Sequence, residues 1–170
     1  MNMKKYIFLL CLTLTFFFCE AQKFAYVDTD YILNKIPDYS QAQDKLDEIS
    51  IEFQKDIEGK YEEIKQLFKA YQQEQILLTN EMKKKREEMI VEKEKEVKNL
   101  QQKYFGPEGD LYKKRQELIK PIQQKIYEAI QQLAENNKYA IVFDSSSDLI
   151  MLYTNKNLDK SDDVLNIMGY

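Results

Sequence analysis

The serine-rich segment DSSSD at residues 144–148 is where nucleophilic chemistry would first be sought. A catalytic serine needs a base beside it, and the chain contains no histidine to activate Ser145, Ser146 or Ser147. The carboxylates are spread over charged stretches, with no pair in an apolar setting that would shift its protonation. We therefore expect no enzymatic activity and interpret DSSSD as the turn of a β-hairpin.

Metal and phosphate chemistry is also not indicated. The two cysteines, Cys11 and Cys19, both lie near the N-terminus, so the rest of the chain lacks the usual soft metal ligands. The segment GPEG at residues 106–109 lacks the Lys and the Ser or Thr that follow a phosphate-binding glycine loop. We expect no cofactor and no metal ion.

Residues 1–21 predict a removed export signal. A short basic start, MNMKK, precedes the apolar run YIFLLCLTLTFFFC, and Ala21 offers a cleavage point. Two alternatives stay open. One is an N-terminal membrane anchor, although the run is shorter than the roughly 20 residues that span a bilayer. The other is a lipoprotein attached at Cys19, although Phe17 and Phe18 stand where small residues are expected.

Without residues 1–21 the chain carries 23 basic and 28 acidic side chains, a formal charge of −5. Nucleic-acid binding rests on a basic face, so this balance argues against nucleic acid as a partner. A length of about 149 residues suits a single domain. The scarcity of glycine and proline predicts long elements with few turns.

Three short apolar segments predict strands that come from opposite ends of the chain. FAYV within residues 23–33 is aromatic and β-branched, and two further runs lie at residues 139–143 and 149–154. The five polar residues between the last two runs predict a hairpin. The three segments can share one sheet only if the intervening residues return the chain to its starting point.

Those intervening residues predict two long antiparallel helices. A narrow apolar stripe at steps of mostly three or four begins at Leu46 and reaches Leu78. Thr79 and Asn80 are good helix caps near the midpoint, so we place the reversal at residues 78–81. A reversal at Gly106 would leave a return arm too short to reach the sheet. GPEG then predicts a kink in the return arm.

Five segments follow one another along the chain: an export signal, the strand segment KFAYVDTDYIL, a long charged helical hairpin, the strand segment KYAIVFDSS and the tail DLIMLYTNKNLDKSDDVLNIM. Together they resemble the periplasmic Skp/OmpH-type chaperones. The segment YFGPEGDLYKKRQELIKPI is similar to Bacteroidetes-type members. The resemblance implies an α+β fold in which three chains build a small β body, and each chain projects a helical hairpin, or tentacle. The implied divisions are a signal at 1–21, a body at 22–38 and 137–170 with a short C-terminal helix, and a hairpin at 39–136.

The same resemblance implies an ATP-independent periplasmic holdase that keeps unfolded outer-membrane proteins in a cavity between the tentacles of a homotrimer. If so, client contact should depend on apolar side chains of the hairpin, and we select Tyr61, Phe68, Tyr71, Leu78, Met82 and Met89. For the trimeric body we select Phe24, Tyr26, Val27, Ile141 and Phe143.

Two further interpretations remain. A structural or adaptor coiled-coil protein of the cell envelope would have the same hairpin without client capture. The basic run KKKR at residues 83–86, near the expected tip, leaves a weak contact with a membrane surface open, although Glu81, Glu87 and Glu88 flank it.

Overall fold

The computed structural model describes residues 22–147 and 150–170. The predicted signal at residues 1–21, with Cys11 and Cys19, lies outside the described residues. The chain divides into two compact units. The body comprises residues 22–32 together with Glu128–Tyr170, and the hairpin unit comprises Leu33–Tyr127.

The elements follow one another in a simple order. They are β1 (Lys23–Val27), α1 (Thr29–Lys35), α2 (Pro37–Glu74), α3 (Asn80–Phe105), α4 (Asp110–Asn137), β2 (Tyr139–Asp144), a 3₁₀ helix (Lys156–Leu158) and α5 (Ser161–Met168). None of the helices in this described part is both long enough and apolar enough to span a membrane.

The sheet of the body consists of β1 and β2 in parallel. Parallel neighbours need a long crossover, and the residues between them supply it. The predicted hairpin of β2 with residues 149–154 is wrong: residues 150–154 form no strand, and Leu149 lies outside the described residues. The far side of β1 instead carries an isolated bridge from Tyr26 to Asp159, and the Lys160 N–H donates to the Tyr26 carbonyl at 2.9 Å.

Helices α2 and α3 form the predicted antiparallel hairpin. Pro37 occupies the first turn of α2, where its missing N–H costs nothing. With 38 residues, α2 is about 57 Å long at the usual helical rise. The turn between the helices comprises residues 75–79 and overlaps the segment 78–81 expected from the sequence. Thr79 caps α3, because its hydroxyl accepts a hydrogen bond from the Met82 N–H at 3.3 Å.

GPEG separates α3 from α4 without reversing the chain. Tyr71 pairs with Glu87 and Tyr104 with Asp56, so α3 runs back along α2. Beyond GPEG, α4 leads directly into β2, which pairs with β1, so the chain continues its return. The break is thus an interruption in the return arm.

Both glycines of GPEG are required by close backbone contacts. A Cβ on Gly106 would lie 2.3 Å from the Gln102 carbonyl oxygen, and one on Gly109 would lie 2.7 Å from that of Tyr104. Real side chains do not tolerate such distances. The linker is therefore a compact structure that larger residues cannot adopt without displacing the backbone.

Candidate functional site

The two arms of the hairpin are joined by an aliphatic seam. Ile57 and Ile64 on α2 and Ile90 and Val97 on α3 are buried and form one hydrophobic cluster. Within each arm the two members are seven residues apart, the spacing that keeps residues on one face of two paired helices. Partly buried side chains pack against this seam, namely Leu67, Tyr71, Leu100 and Tyr104.

Aromatic side chains reinforce the seam at its polar edges. The rings of Phe53 and Tyr104 stack with centroids 4.0 Å apart, and the Tyr104 hydroxyl donates to the Asp56 carboxylate at 2.8 Å. Near the turn, the Tyr71 hydroxyl donates to the Glu87 carboxylate. These hydrogen bonds to carboxylates raise the pKa of both tyrosines, with some contribution from desolvation. Each tyrosine therefore links one arm to the other.

The predicted client residues separate into two groups. Tyr61 and Phe68 on α2 and Met82 and Met89 on α3 are each about half exposed, although each stands within four residues of a seam or cap position. Tyr71, in contrast, packs on the seam and bonds to the opposite arm. Leu78 is also partly covered. The first group is free to meet another molecule, and Tyr71 mainly holds the arms together.

The most exposed large apolar side chains of the hairpin unit are not among the predicted client residues. Ile76 and Leu77 in the turn are 89% and 86% exposed. The signal for them was present, since three consecutive aliphatic residues, ILL at 76–78, stand where a helix turn usually carries polar residues. The periodicity of the apolar stripe did not indicate them, because that periodicity identifies residues packed between the two helices. Residues of the turn lie outside this packing.

The body presents a second apolar surface, on one face of its sheet. The strand register sets Phe24 beside Ile141 and Tyr26 beside Phe143, so these four side chains share a face. Phe24 is 41% and Ile141 48% exposed, and Phe143 and Tyr26 are also partly open. We call these four residues the sheet face. Because strand residues alternate, Val27 belongs to the opposite face and is buried within its own chain.

Residues 150–153 carry further exposed apolar side chains of the body. Ile150, Leu152 and Tyr153 are between 84% and 96% exposed, in a segment without regular secondary structure. An exposed apolar cluster of this kind in a small unit indicates contact with another surface.

The serine-rich segment ties the end of β2 to the start of α1. The carboxylate of Asp144 accepts hydrogen bonds from the Thr29 hydroxyl at 2.7 Å, from the Ser146 hydroxyl at 2.8 Å and from both backbone N–H groups. The Ser145 N–H donates to the Val27 carbonyl at 2.8 Å. Residues 144–147 therefore crosslink positions more than one hundred apart in the sequence. The predicted hairpin turn is wrong, because residues 150–154 form no strand.

The hydrogen bonds around Asp144 also set its acidity. Partial burial would raise the pKa of Asp144, but the hydrogen bonds from Thr29 and Ser146 outweigh it and hold the pKa below its usual range. The carboxylate is thus kept ionised as an acceptor. This geometry joins the end of β2 to the start of α1.

A polar cleft of about 580 Å³ lies elsewhere in the body, beside α5. Asp28, Asp159 and Asp162 line it, and the Tyr31 hydroxyl donates to Asp162 at 3.0 Å. Asp159 in turn accepts from the Ser161 hydroxyl at 2.7 Å. Across residues 22–147 and 150–170, no three acidic side chains are grouped so that they could hold a metal ion.

Comparisons with known proteins agree with this architecture. The family model described as "Outer membrane protein (OmpH-like)" matches residues 23–168. Among solved structures, a candidate outer membrane chaperone (OmpH-like) from Caulobacter crescentus is similar, with a TM-score of 0.69 and 14% sequence identity. The match covers 86% of this chain and 83% of that one. No curated protein matches the chain.

Proposed function

Since the chain belongs to the OmpH-like family, we propose that it is a periplasmic holdase that binds unfolded outer-membrane proteins and prevents their aggregation. The client would lie in a cavity between the helical hairpins of three copies. Unfolded outer-membrane strands expose alternating apolar residues that pair with one another unless they are covered. The hairpin supplies apolar cover on a water-soluble, charged scaffold.

One observation carries the proposal: the hairpin does not need all of its large apolar side chains for its own packing. The seam is closed by Ile57, Ile64, Ile90 and Val97, and Tyr61, Phe68, Met82 and Met89 stay about half exposed. A purely structural hairpin gains nothing from exposing them. Thioether and aromatic side chains adapt to varied partners, which suits a binder of many sequences.

The homotrimer is supported by the sheet face. A two-stranded sheet is too small to be stable by itself, and here one of its faces keeps Phe24, Ile141 and Phe143 open. Contact between copies through this face would cover it. Several hairpins on one assembly would then hold a client by many weak contacts at once.

The periplasmic location is supported by the family and by the apolar start of the sequence. We propose no enzymatic step and no cofactor, so ATP would not drive release. A client would leave when it folds elsewhere, because folding removes the apolar surface that the hairpins bind.

Shortening the hairpin tests the proposal. The pairs Tyr71 with Glu87 and Tyr104 with Asp56 set the register of the arms, so deletion of residues 61–67 and 91–97 removes one heptad from each arm and keeps both pairs. The turn and the body are kept. Aggregation of an unfolded β-barrel protein diluted from urea is followed by light scattering, at equal oligomer concentration.

We expect the shortened protein to lose most of its protection. A matched variant keeps the full length and replaces Tyr61, Phe68 and Met89 by Ser, which separates cavity size from side-chain chemistry. If the shortened protein keeps its oligomeric state and protects as well as the wild type, the cavity mechanism is wrong. A structural role in the cell envelope would then be the better interpretation.

A further inference from the structure

The turn of the hairpin displays two apolar side chains more openly than any part of its arms. Ile76 and Leu77 are 89% and 86% exposed, against 49% for Tyr61 and 48% for Phe68. Exposing two large aliphatic side chains side by side gives up free energy that burial would recover. A hairpin turn has no packing reason to carry them, because polar residues close such turns equally well.

Hydrogen bonds fix the backbone of the turn that carries these side chains. The Gln75 N–H donates to the Tyr71 carbonyl at 2.9 Å, and the Leu77 N–H donates to the Glu74 carbonyl at 2.8 Å. On the other side, the Thr79 hydroxyl caps α3. Since hydrogen bonds fix the backbone before and after the pair, little conformational entropy would be lost when another molecule covers it.

Charge decides what kind of partner the turn fits. Residues 74–88 contain four basic side chains in KKKR and four acidic ones, so the net charge of the turn region is zero. Arg86 pairs with Glu74 at 3.4 Å and Lys85 with Glu81 at 3.2 Å, and Lys84 lies 3.8 Å from Glu88. An anionic lipid surface attracts segments with an excess of positive charge, and the turn has none.

We infer that residues 75–79 form a second client-contact site, in which Ile76 and Leu77 insert among the apolar side chains of an unfolded, uncharged polypeptide segment. The inference rests on the proposed holdase function and adds a site outside the arms. The turn would then make the first apolar contact with a client, and the half-exposed residues of the arms would extend it.

The test replaces both residues in the full-length protein, as Ile76→Ser with Leu77→Ser. The matched control replaces Ile51 and Val91 by Ser, which removes two exposed aliphatic side chains from the arms of the same hairpin. Affinity is measured by fluorescence anisotropy of a labelled eight-stranded β-barrel protein diluted from urea. Circular dichroism and sedimentation establish that fold and oligomeric state are unchanged.

We expect the turn variant to bind at least about tenfold more weakly, because two such side chains contribute more than one decade of affinity when buried. The arm control should weaken binding less than the turn variant does, because Ile51 and Val91 are less exposed than Ile76 and Leu77. Equal binding by the turn variant and the wild type would overturn the inference while leaving the holdase function intact. A wild type that binds no client would remove the proposed function, and this site with it.

Two other partners of the turn, a lipid membrane and a second copy of the chain, would give different experimental results. Flotation with vesicles that contain anionic lipid would show binding that depends on Ile76 and Leu77 if the turn were a membrane contact. A change in sedimentation of the turn variant would show that copies of the chain meet there. Either result would overturn the assignment to a client polypeptide, and we expect neither.

Discussion

The hairpin unit and the body solve the problem of stability in different ways. The hairpin unit closes a continuous aliphatic seam between neighbouring helices, and its 19 basic and 19 acidic side chains balance. The body joins segments from both ends of the chain, and it carries 4 basic and 9 acidic side chains. The hairpin thus builds its own core, whereas the body leaves its sheet face open. Changes should therefore act locally in the hairpin and through association in the body.

The largest effect is expected on the sheet face. Ile141→Asp should prevent self-association, because a carboxylate buried without a partner costs several kcal/mol. Sedimentation at micromolar concentration measures the mass of the assembly. Val91→Asp, on an exposed position of the hairpin, is the control and should leave the mass unchanged. An Ile141→Asp protein that associates like the wild type would show that this face is not the contact.

The next largest effect is a difference in stability between variants of a seam residue and of an exposed residue beside it. Ile64→Ala should lower the free energy of unfolding by about 2–4 kcal/mol, because Ile64 is buried in the seam. Tyr61→Ala, on the same helix but half exposed, should cost less than about 1 kcal/mol. Urea denaturation of both variants measures the difference. Equal losses would mean that Tyr61 belongs to the core and is not available for a client.

Glycine substitutions test whether GPEG is a built linker. Gly109→Ala should destabilise the hairpin unit by about 1–3 kcal/mol, since the new Cβ would meet backbone atoms. Gly59→Ala, in helix α2 with nothing near its added Cβ, should stabilise it by about 0.5–1 kcal/mol. Thermal melts followed by circular dichroism at 222 nm should therefore shift in opposite directions. Shifts of the same sign would contradict the linker geometry.

The smallest effect is a pH dependence in the body. Asp144→Asn should cost about 1 kcal/mol near neutral pH, because the carboxylate accepts several hydrogen bonds but is only partly buried. The folded pKa of Asp144 lies below its unfolded value of about 3.9. Its stabilisation is therefore complete above that value and is lost as the pH falls through the folded pKa.

The difference in free energy of unfolding between the wild type and Asp144→Asn should accordingly become smaller below about pH 4. Urea denaturation across a pH series measures it, with Asp47→Asn on exposed α2 as a control of equal charge change. A gap that stays constant into strong acid would mean that the hydrogen bonds do not depend on the ionised carboxylate.

The hairpin was the more predictable region. The apolar steps indicated its arms, and the polar cap residues Thr79 and Asn80 indicated where it turns. What periodicity could not separate was the two kinds of apolar residue, since Tyr71 and Tyr61 belong to the same stripe. In the structure only Tyr71 packs on the seam and bonds across it. Whether a residue of the stripe is buried depends on the direction in which it projects from the helix. Where the opposite arm packs determines which of these directions is covered.

The body was less predictable because its contacts join distant parts of the sequence. Residues 149–154 have the composition of a strand, yet the described residues 150–154 have no strand partner within the chain. The composition of a segment indicates that it could form a β-strand. It does not indicate whether a strand edge is available for that segment to pair with. DSSSD was likewise interpreted from its neighbours in sequence, and its actual partner, Thr29, lies 115 positions away from Asp144.

The sequence by itself determined the helical hairpin, its turn, the break at GPEG and the family, because these depend on local periodicity, caps and a recognisable order of segments. Only the tertiary structure decided that β1 and β2 pair in parallel, that Val27 is buried while Phe24 is open, and that Ile76 and Leu77 are exposed together. The physical reason is that burial and strand pairing each depend on two segments that come into contact. A single segment fixes its own backbone preference, but its exposure depends on what the rest of the chain brings against it.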